Sequence, residues 1–158
     1  MTDEPSRRTD TGSRVIHASP STIYRAFLDA EAVACWRPPA GMKARIYAFD
    51  PREGGTYRMA FVYADADHSV AGKTSEHVDQ FRGRFVALVP NERIVEQVEF
   101  ESNDPAFAGA MTIVTTLVPV EGGTKVTVEC RDVPEGIKAS DHEAGIASSL
   151  RNLALLTE

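Results

Sequence analysis

Cysteine is close to absent from this chain. Its two cysteines, Cys35 and Cys130, lie far apart and in no metal-ligand spacing. This argues against a disulfide framework and a Cys-based metal site, and for a reducing cytoplasm. Long apolar runs are missing too. None approaches the roughly 20 residues that span a bilayer, which argues against membrane insertion. The start, Met1-Thr2-Asp3-Glu4-Pro5-Ser6, has no hydrophobic segment of the signal-peptide kind. Positive charge is scattered: the net charge is −6, and the one local basic cluster, Arg7-Arg8, sits in a polar stretch. Nucleic acid and anionic membrane surfaces are therefore poor partners. Internal repeats and interior linkers are absent. What remains is one domain's length, 158 residues, of which 42% are hydrophobic, enough for a core. Residues 1–12 read as a disordered polar tail, and 13–158 as a single domain.

The pattern along that domain is α+β. Arg14-Val15-Ile16-His17 reads as a first strand. Ser19-Pro20 supplies an N-cap followed by proline at the first helical position, with Ile23, Ala26 and Phe27 at helical spacing. Asp29 caps a second short helix through Ala34 that delivers Trp36, and Pro38-Pro39 stops it. From Lys43 to Arg131 the period becomes two, with turns at Glu53-Gly54-Gly55, Pro90-Asn91 and Gly122-Gly123, the last suited to type I′ geometry. Pairing about Pro90-Asn91 sets Phe81 opposite Phe100, Arg82 opposite Glu99, Arg84 opposite Gln97 and Phe85 opposite Glu96. One face is then charge-matched, the other aromatic and aliphatic, and a slip by one residue would destroy both matches. Met111, Ile113 and Leu117 form one face of the next strand, and Val126, Val128 and Cys130 one face of its return.

The last element is a long helix. Ser140-x-x-Glu143 has the form of a capping box, and Ile146, Leu150, Leu153 and Leu156 recur at helical spacing. A helix of about 17 residues reaches ~25 Å, enough to cross a small sheet. One ~10 Å cylinder cannot fill the hollow of a strongly curved sheet, so a cavity between the two is expected, and such cavities are default binding sites.

Five segments carry a family resemblance in order: Ala18-Ser19-Pro20-Ser21-Thr22-Ile23-Tyr24-Arg25-Ala26-Phe27 with Trp36, Gly54-Gly55-Thr56-Tyr57-Arg58, Val89-Pro90-Asn91-Glu92-Arg93-Ile94-Val95, Gly122-Gly123-Thr124-Lys125-Val126-Thr127, and His142-Glu143-Ala144-Gly145-Ile146 with Ser149-Leu150-Arg151-Asn152-Leu153. The chain resembles the START-like (SRPBCC, helix-grip) superfamily, in the branch of homologues of the activator of heat-shock-protein-90 ATPase. The resemblance implies a curved antiparallel sheet of six to seven strands wrapped round a long C-terminal helix, with two short helices after the first strand. It implies a tendency to bind lipids or other small apolar molecules, among relatives that also cyclise polyketides or stimulate a chaperone ATPase. A homodimer rests on the same analogy. Two positions depart from the family pattern: a Trp pair is reduced to Trp36 after Cys35, and the Trp after the helix glycine is Ile146. Both changes remove bulk.

Candidate chemistry is sparse. His142-Glu143 lacks the second histidine of a zinc-protease helix, because position 146 is Ile; no metal or cofactor is expected. His142 either looks into one end of the cavity or stays at the surface. Glu96 falls on the apolar face, where a carboxylate is costly unless paired or protonated. It is either a polar anchor or general acid for a ligand, or the sign of a misjudged register or local bulge, or a salt-bridge residue near the rim. The expected ligand-facing set is Trp36, Tyr57, Phe61, Phe85, Glu96, Val98, Phe100, Met111, Ile113, His142, Ile146 and Leu150, each aromatic also readable as plain core. Asp65, Asp67 and His68, in a polar stretch running to Glu76-His77, read as a solvated hairpin loop that can serve as a lid. The leading expectation is non-catalytic binding of a small, mostly apolar molecule. A cyclase- or hydrolase-type enzyme using Glu96, His142 and Tyr57 is the alternative. A chaperone co-regulator comes third, since the chain has no room for the extra N-terminal domain of eukaryotic-type activators.

Overall fold

The computed structural model describes residues 8–63 and 78–158. Strand β1 (Asp10–Ile16) leads into helices α1 (Pro20–Phe27) and α2 (Ala30–Trp36). Then come β2 (Met42–Phe49), β3 (Thr56–Tyr63), β4 (Val78–Val89), β5 (Arg93–Phe100), β6 (Met111–Val120) and β7 (Gly123–Arg131), and finally α3 (Ala139–Thr157). The strands form one seven-stranded antiparallel sheet in the order β1-β7-β6-β5-β4-β3-β2. After β1 every strand pairs with its chain neighbour, and β1 closes the far edge against β7. This is the helix-grip arrangement: a curved sheet with α3 across its concave face and α1 and α2 at one end.

Local chemistry accounts for the short helices. Ser19 Oγ accepts from the Thr22 amide at 3.2 Å, and Pro20 takes the first helical position. Asp29 Oδ1 accepts from the Glu31 amide at 3.0 Å. α2 runs two residues beyond the expected Ala34, to Trp36, and Pro38-Pro39 keeps it from going further. Strand β1 begins at Asp10 rather than Arg14, so residues 10–12 of the expected tail pair with Val128, Glu129 and Cys130.

The β4–β5 register is as the charge and aromatic pattern requires: Phe81 faces Phe100, Arg82 Glu99, Arg84 Gln97 and Phe85 Glu96. Bulges interrupt β2 between Ile46 and Ala48 and β4 between Phe85 and Ala87. The residues they extrude, Tyr47 and Val86, lie exposed on the outer face. Bulges increase local twist and bend the strand, which helps curl the sheet. At the β6–β7 turn the expectation needs correction. Gly122 alone has positive φ (82°), so the turn is not the type I′ form, which requires positive φ at both central residues. Gly123 already belongs to β7, where a Cβ would meet the Ile16 carbonyl oxygen at 2.1 Å.

The start of α3 also differs from the expectation. The helix begins at Ala139, with Lys138 as its cap and no side-chain cap hydrogen bond. Ser140 is thus already helical and cannot adopt the extended cap conformation, so the Ser140–Glu143 capping box does not form. The buried stripe is Ile146, Leu150, Leu153 and Ala154, and Leu156 is 45% exposed. Gly12 allows the stripe to sit close on β1, since a Cβ there would stand 2.6 Å from Ile146 Cγ2.

Candidate functional site

Between the concave face and α3 lies a cavity of about 670 Å³. Of the expected ligand-facing residues, Trp36, Phe61, Glu96, Val98, Phe100, Met111, Ile113, His142, Ile146 and Leu150 line it. Tyr57 and Phe85 do not. They pack against each other, ring centroids 5.3 Å apart, and against Phe49, as a filled aromatic core behind the cavity wall. The Asp65, Asp67 and His68 stretch lies outside the described residues.

Glu96 is the centre of the polar wall. It is 1% exposed, and its Oε1 accepts hydrogen bonds from Arg37 Nη1 at 2.8 Å and from the Tyr57 hydroxyl at 2.6 Å. Arg37 Nη2 in turn donates to the Tyr57 oxygen at 3.3 Å. The guanidinium lies over the Tyr57 ring (5.4 Å) and the Phe81 ring (5.9 Å). Glu96 is thus neither at the rim nor unpaired; its partner is a cation inside the cavity. Burial opposes the charge on Arg37, but Glu96 and Tyr57 outweigh it and hold the guanidinium above its ordinary value. Burial lifts the Tyr57 hydroxyl well above the usual phenol range; Arg37 opposes that lift and Glu96 adds to it. Tyr57 therefore stays a neutral donor at ordinary pH.

Three features set this trio in place. Gly83, opposite Tyr57 on β4, makes room for the tyrosine ring, because a Cβ there would lie 2.2 Å from its Cζ. Trp36 donates its indole N–H to the Ala26 carbonyl at 2.9 Å and packs at a tilt against the Phe27 ring, locking the end of α2. Side chains of α3 then hold the loop that follows. Ser149 donates to the Arg37 carbonyl at 2.6 Å, and Asn152 to the Pro38 carbonyl at 3.0 Å. The same loop is held by Ser148 Oγ, which accepts from the Ala40 amide at 2.8 Å. Arg37 was not among the sequence candidates. Its signal was an arginine placed between the tryptophan that ends α2 and a proline pair, a position with no obvious surface role.

At the other end of the cavity His142 Nδ1 donates to Asp10 Oδ2 at 2.7 Å. Asp10 is 4% exposed and also takes Arg8 Nε at 2.9 Å, while the Arg8 guanidinium reaches the Ile137 carbonyl. Burial pushes the Asp10 carboxyl up, but the bonds from Arg8 and His142 outweigh it and hold it below its ordinary value. Cys130 sits opposite Asp10 across the strands and also lines the cavity. Burial pushes its thiol up to about 12, so it is no thiolate. Thr115, on the same face of β6, is 1% exposed, and its Oγ1 has no hydrogen-bond partner among the described residues. Also among those residues, no cluster of three or more His, Cys, Asp or Glu side chains could hold a metal ion, and no helix is long and apolar enough to cross a membrane.

A curled seven-stranded sheet gripping one long helix round an apolar cavity defines the START-like class of domains. The sequence profile of the activator of Hsp90 ATPase homolog 1-like proteins matches residues 17–158, and the chain belongs to that family. It is similar to a crystal structure of a Chromobacterium violaceum protein at 32% identity and TM-score 0.83, over 95% of this chain and 96% of that one. Two further structures share the fold. One is a Silicibacter pomeroyi protein of the same family name, at 16% identity and TM-score 0.74 over 94% and 96%. The other, from Arthrobacter aurescens, has 12% identity and TM-score 0.76 over 94% and 85%. Among proteins of curated function none matches the chain.

Proposed function

We propose that this protein is a non-catalytic binder of a small, mostly apolar molecule, held between the sheet and α3. The observation that carries the reading is the cavity of about 670 Å³, walled by Phe27, Trp36, Phe61, Phe81, Phe100 and Phe107. That volume is typical of small-molecule sites, which are mostly apolar with a few placed polar groups. Family membership supports a binding domain and leaves the ligand open. Cys130 is buried and Cys35 exposed, so the two do not pair, in keeping with a reducing cytoplasm.

The test is native mass spectrometry of the protein as purified, joined to a thermal-shift screen of small apolar compounds. A co-purifying or stabilising molecule is expected. Ile113→Trp, which projects bulk from β6 into the cavity, should abolish the effect while leaving the far-ultraviolet circular dichroism unchanged. If no compound stabilises the wild-type protein, or if the Trp variant responds equally, the reading fails.

An enzyme in the same cavity is the second reading, favoured by the fact that Glu96 and His142 both line it. It ranks lower because the Glu96 Oε1 is committed to two bonds and the His142 Nδ1 to one. Full turnover of an identified substrate by Glu96→Gln and His142→Ala would remove it. A chaperone co-regulator, suggested by the family description, is third; an unchanged chaperone ATPase rate on adding the purified protein removes that.

A further inference from the structure

The outer face of the sheet, turned away from the cavity, falls into two halves. In one half the arginines are matched: Arg58 to Glu101, Arg82 to Glu99, Arg84 to Gln97 and Arg131 to Glu129. In the other half the strand register builds aliphatic rows. Val15, Lys125 and Val118 stand side by side across β1, β7 and β6. Ser13, Thr127, Thr116 and Arg93 make the next row, and Val114, Val95 and Ala87 lie in the one after that. Val15 is 45% exposed and Val118 47%. An antiparallel sheet with one solvated face normally turns polar side chains outward. Aliphatic side chains gathered on such a face mark an interaction site.

An open groove of about 790 Å³ continues these rows, with Pro20, Pro90, Arg93, Thr116, Val118 and Pro119 in its lining. It shares no residue with the cavity. Prolines carry no N–H, so the walls offer few backbone donors and recognition falls on side chains. Arg93 and Lys125 decide what those side chains recognise. Among the described residues neither makes an ion pair, and Glu92, the carboxylate in the groove lining, stays out of reach of Arg93. A second copy laid symmetrically on this patch would bring the same unmatched cations together, which is costly. The net charge of −6 repels nucleic acid and anionic bilayers at long range. A protein segment with a few carboxylates meets the cations locally. Arg93 and Lys125 lie two strands and two residues apart, about 12 Å at the backbone. Roughly four residues of extended chain span that distance.

We propose that this groove and the aliphatic rows beside it dock an acidic, aliphatic segment of a partner protein. One carboxylate of the segment pairs with Arg93 and a second, about four residues along, with Lys125. Aliphatic side chains between them cover Val118, Thr116 and Val15. The docking surface is independent of the cavity and of what the cavity holds.

The experiment selects short random peptides on the whole protein and titrates those enriched by fluorescence anisotropy. Enriched peptides should carry two carboxylates about four residues apart with aliphatic residues between them. Arg93→Glu should weaken their binding at least about ten-fold, and Val118→Asp should abolish it. Both side chains are exposed, so far-ultraviolet circular dichroism should not change. Lys43→Glu, the same charge change on exposed β2, should leave affinity untouched, which separates local pairing from net charge. Ile113→Trp, which fills the cavity, should leave it untouched too, so failure here does not touch the cavity reading. Four results would each overturn the proposal: enrichment of basic peptides or of no class; Arg93→Glu and Val118→Asp binding like wild type; self-association of the protein that Arg93→Glu abolishes; or, with no peptide enriched, binding to vesicles of equal parts phosphatidylcholine and phosphatidylserine.

Discussion

Arg37 and Glu96 show how a buried charge is carried by its partner. The pair lies inside the cavity wall, with side chains 13% and 1% exposed. Removing one partner of a buried pair leaves the other uncompensated, which commonly costs more than the pair itself contributes. Arg37→Leu is therefore expected to lower stability by about 3 kcal/mol. Arg37→Leu with Glu96→Leu should cost clearly less than the two single changes summed. Urea denaturation of the four proteins measures the coupling, and additivity would show that the pair does not act as a unit. Half of this was legible in the sequence. The β4–β5 alternation and its charge matches put Glu96 on the apolar face, where its oddity was plain. Arg37 was not legible, because its partner is 59 residues away and no local pattern joins a helix end to a strand interior. Tyr57 was read as cavity-facing because alternation identifies the concave face and not which of its residues are covered by others. Gly83 held the missing clue, since a strand glycine opposite a tyrosine marks a ring lying across the backbone.

Helix starts make the same point at the level of elements. Ser19 and Ser140 both precede helical patterns, and both looked like caps. Ser19 has an extended backbone (ψ 154°) and bonds the Thr22 amide. Ser140 lies one residue inside a helix that starts at Ala139. Ser19→Ala should cost about 1 kcal/mol, and Ser140→Ala close to nothing; thermal melts of the two variants check it. An equal loss from both would mean that α3 does start on Ser140. The strand-to-strand order and the two short helices were readable, since period and turn residues are local signals. The cap of α3 was not. Its first turn carries a tertiary side-chain bond from His142 to Asp10 and no side-chain cap. Leu156 is exposed because the buried stripe of α3 ends on Leu153 and Ala154.

For the molecule as a whole, the question is what closes the cavity. The sequence predicted a hollow from the mismatch of one helix and a curved sheet. It did not show that a charged clamp stands at one end. Asp10 on β1 joins three parts of the chain: Arg8 before the strand, the Ile137 carbonyl through that arginine, and His142 on α3. Lys138, Asp141 and His142 line the cavity at this same end. The folded-state value of the Asp10 carboxyl lies below its ordinary 3.8, because Arg8 and His142 favour the charged form. A depressed carboxyl stabilises the fold fully above its unfolded-state value, and that contribution disappears as pH falls through the folded-state value. The stability advantage of wild type over Asp10→Asn should then shrink steadily as pH falls below about 4. Denaturant midpoints measured from pH 7 to 3 give this difference directly. A gap that stayed constant to pH 3 would mean that the carboxylate's charge is not what holds the clamp. Because the clamp joins β1 to the start of α3, its acid release should also speed amide hydrogen exchange in α3's first turn and β1 before it does so in β4 and β5. Loosening would thus begin at the His142 end of the cavity, with the Arg37–Glu96 wall the last part to open.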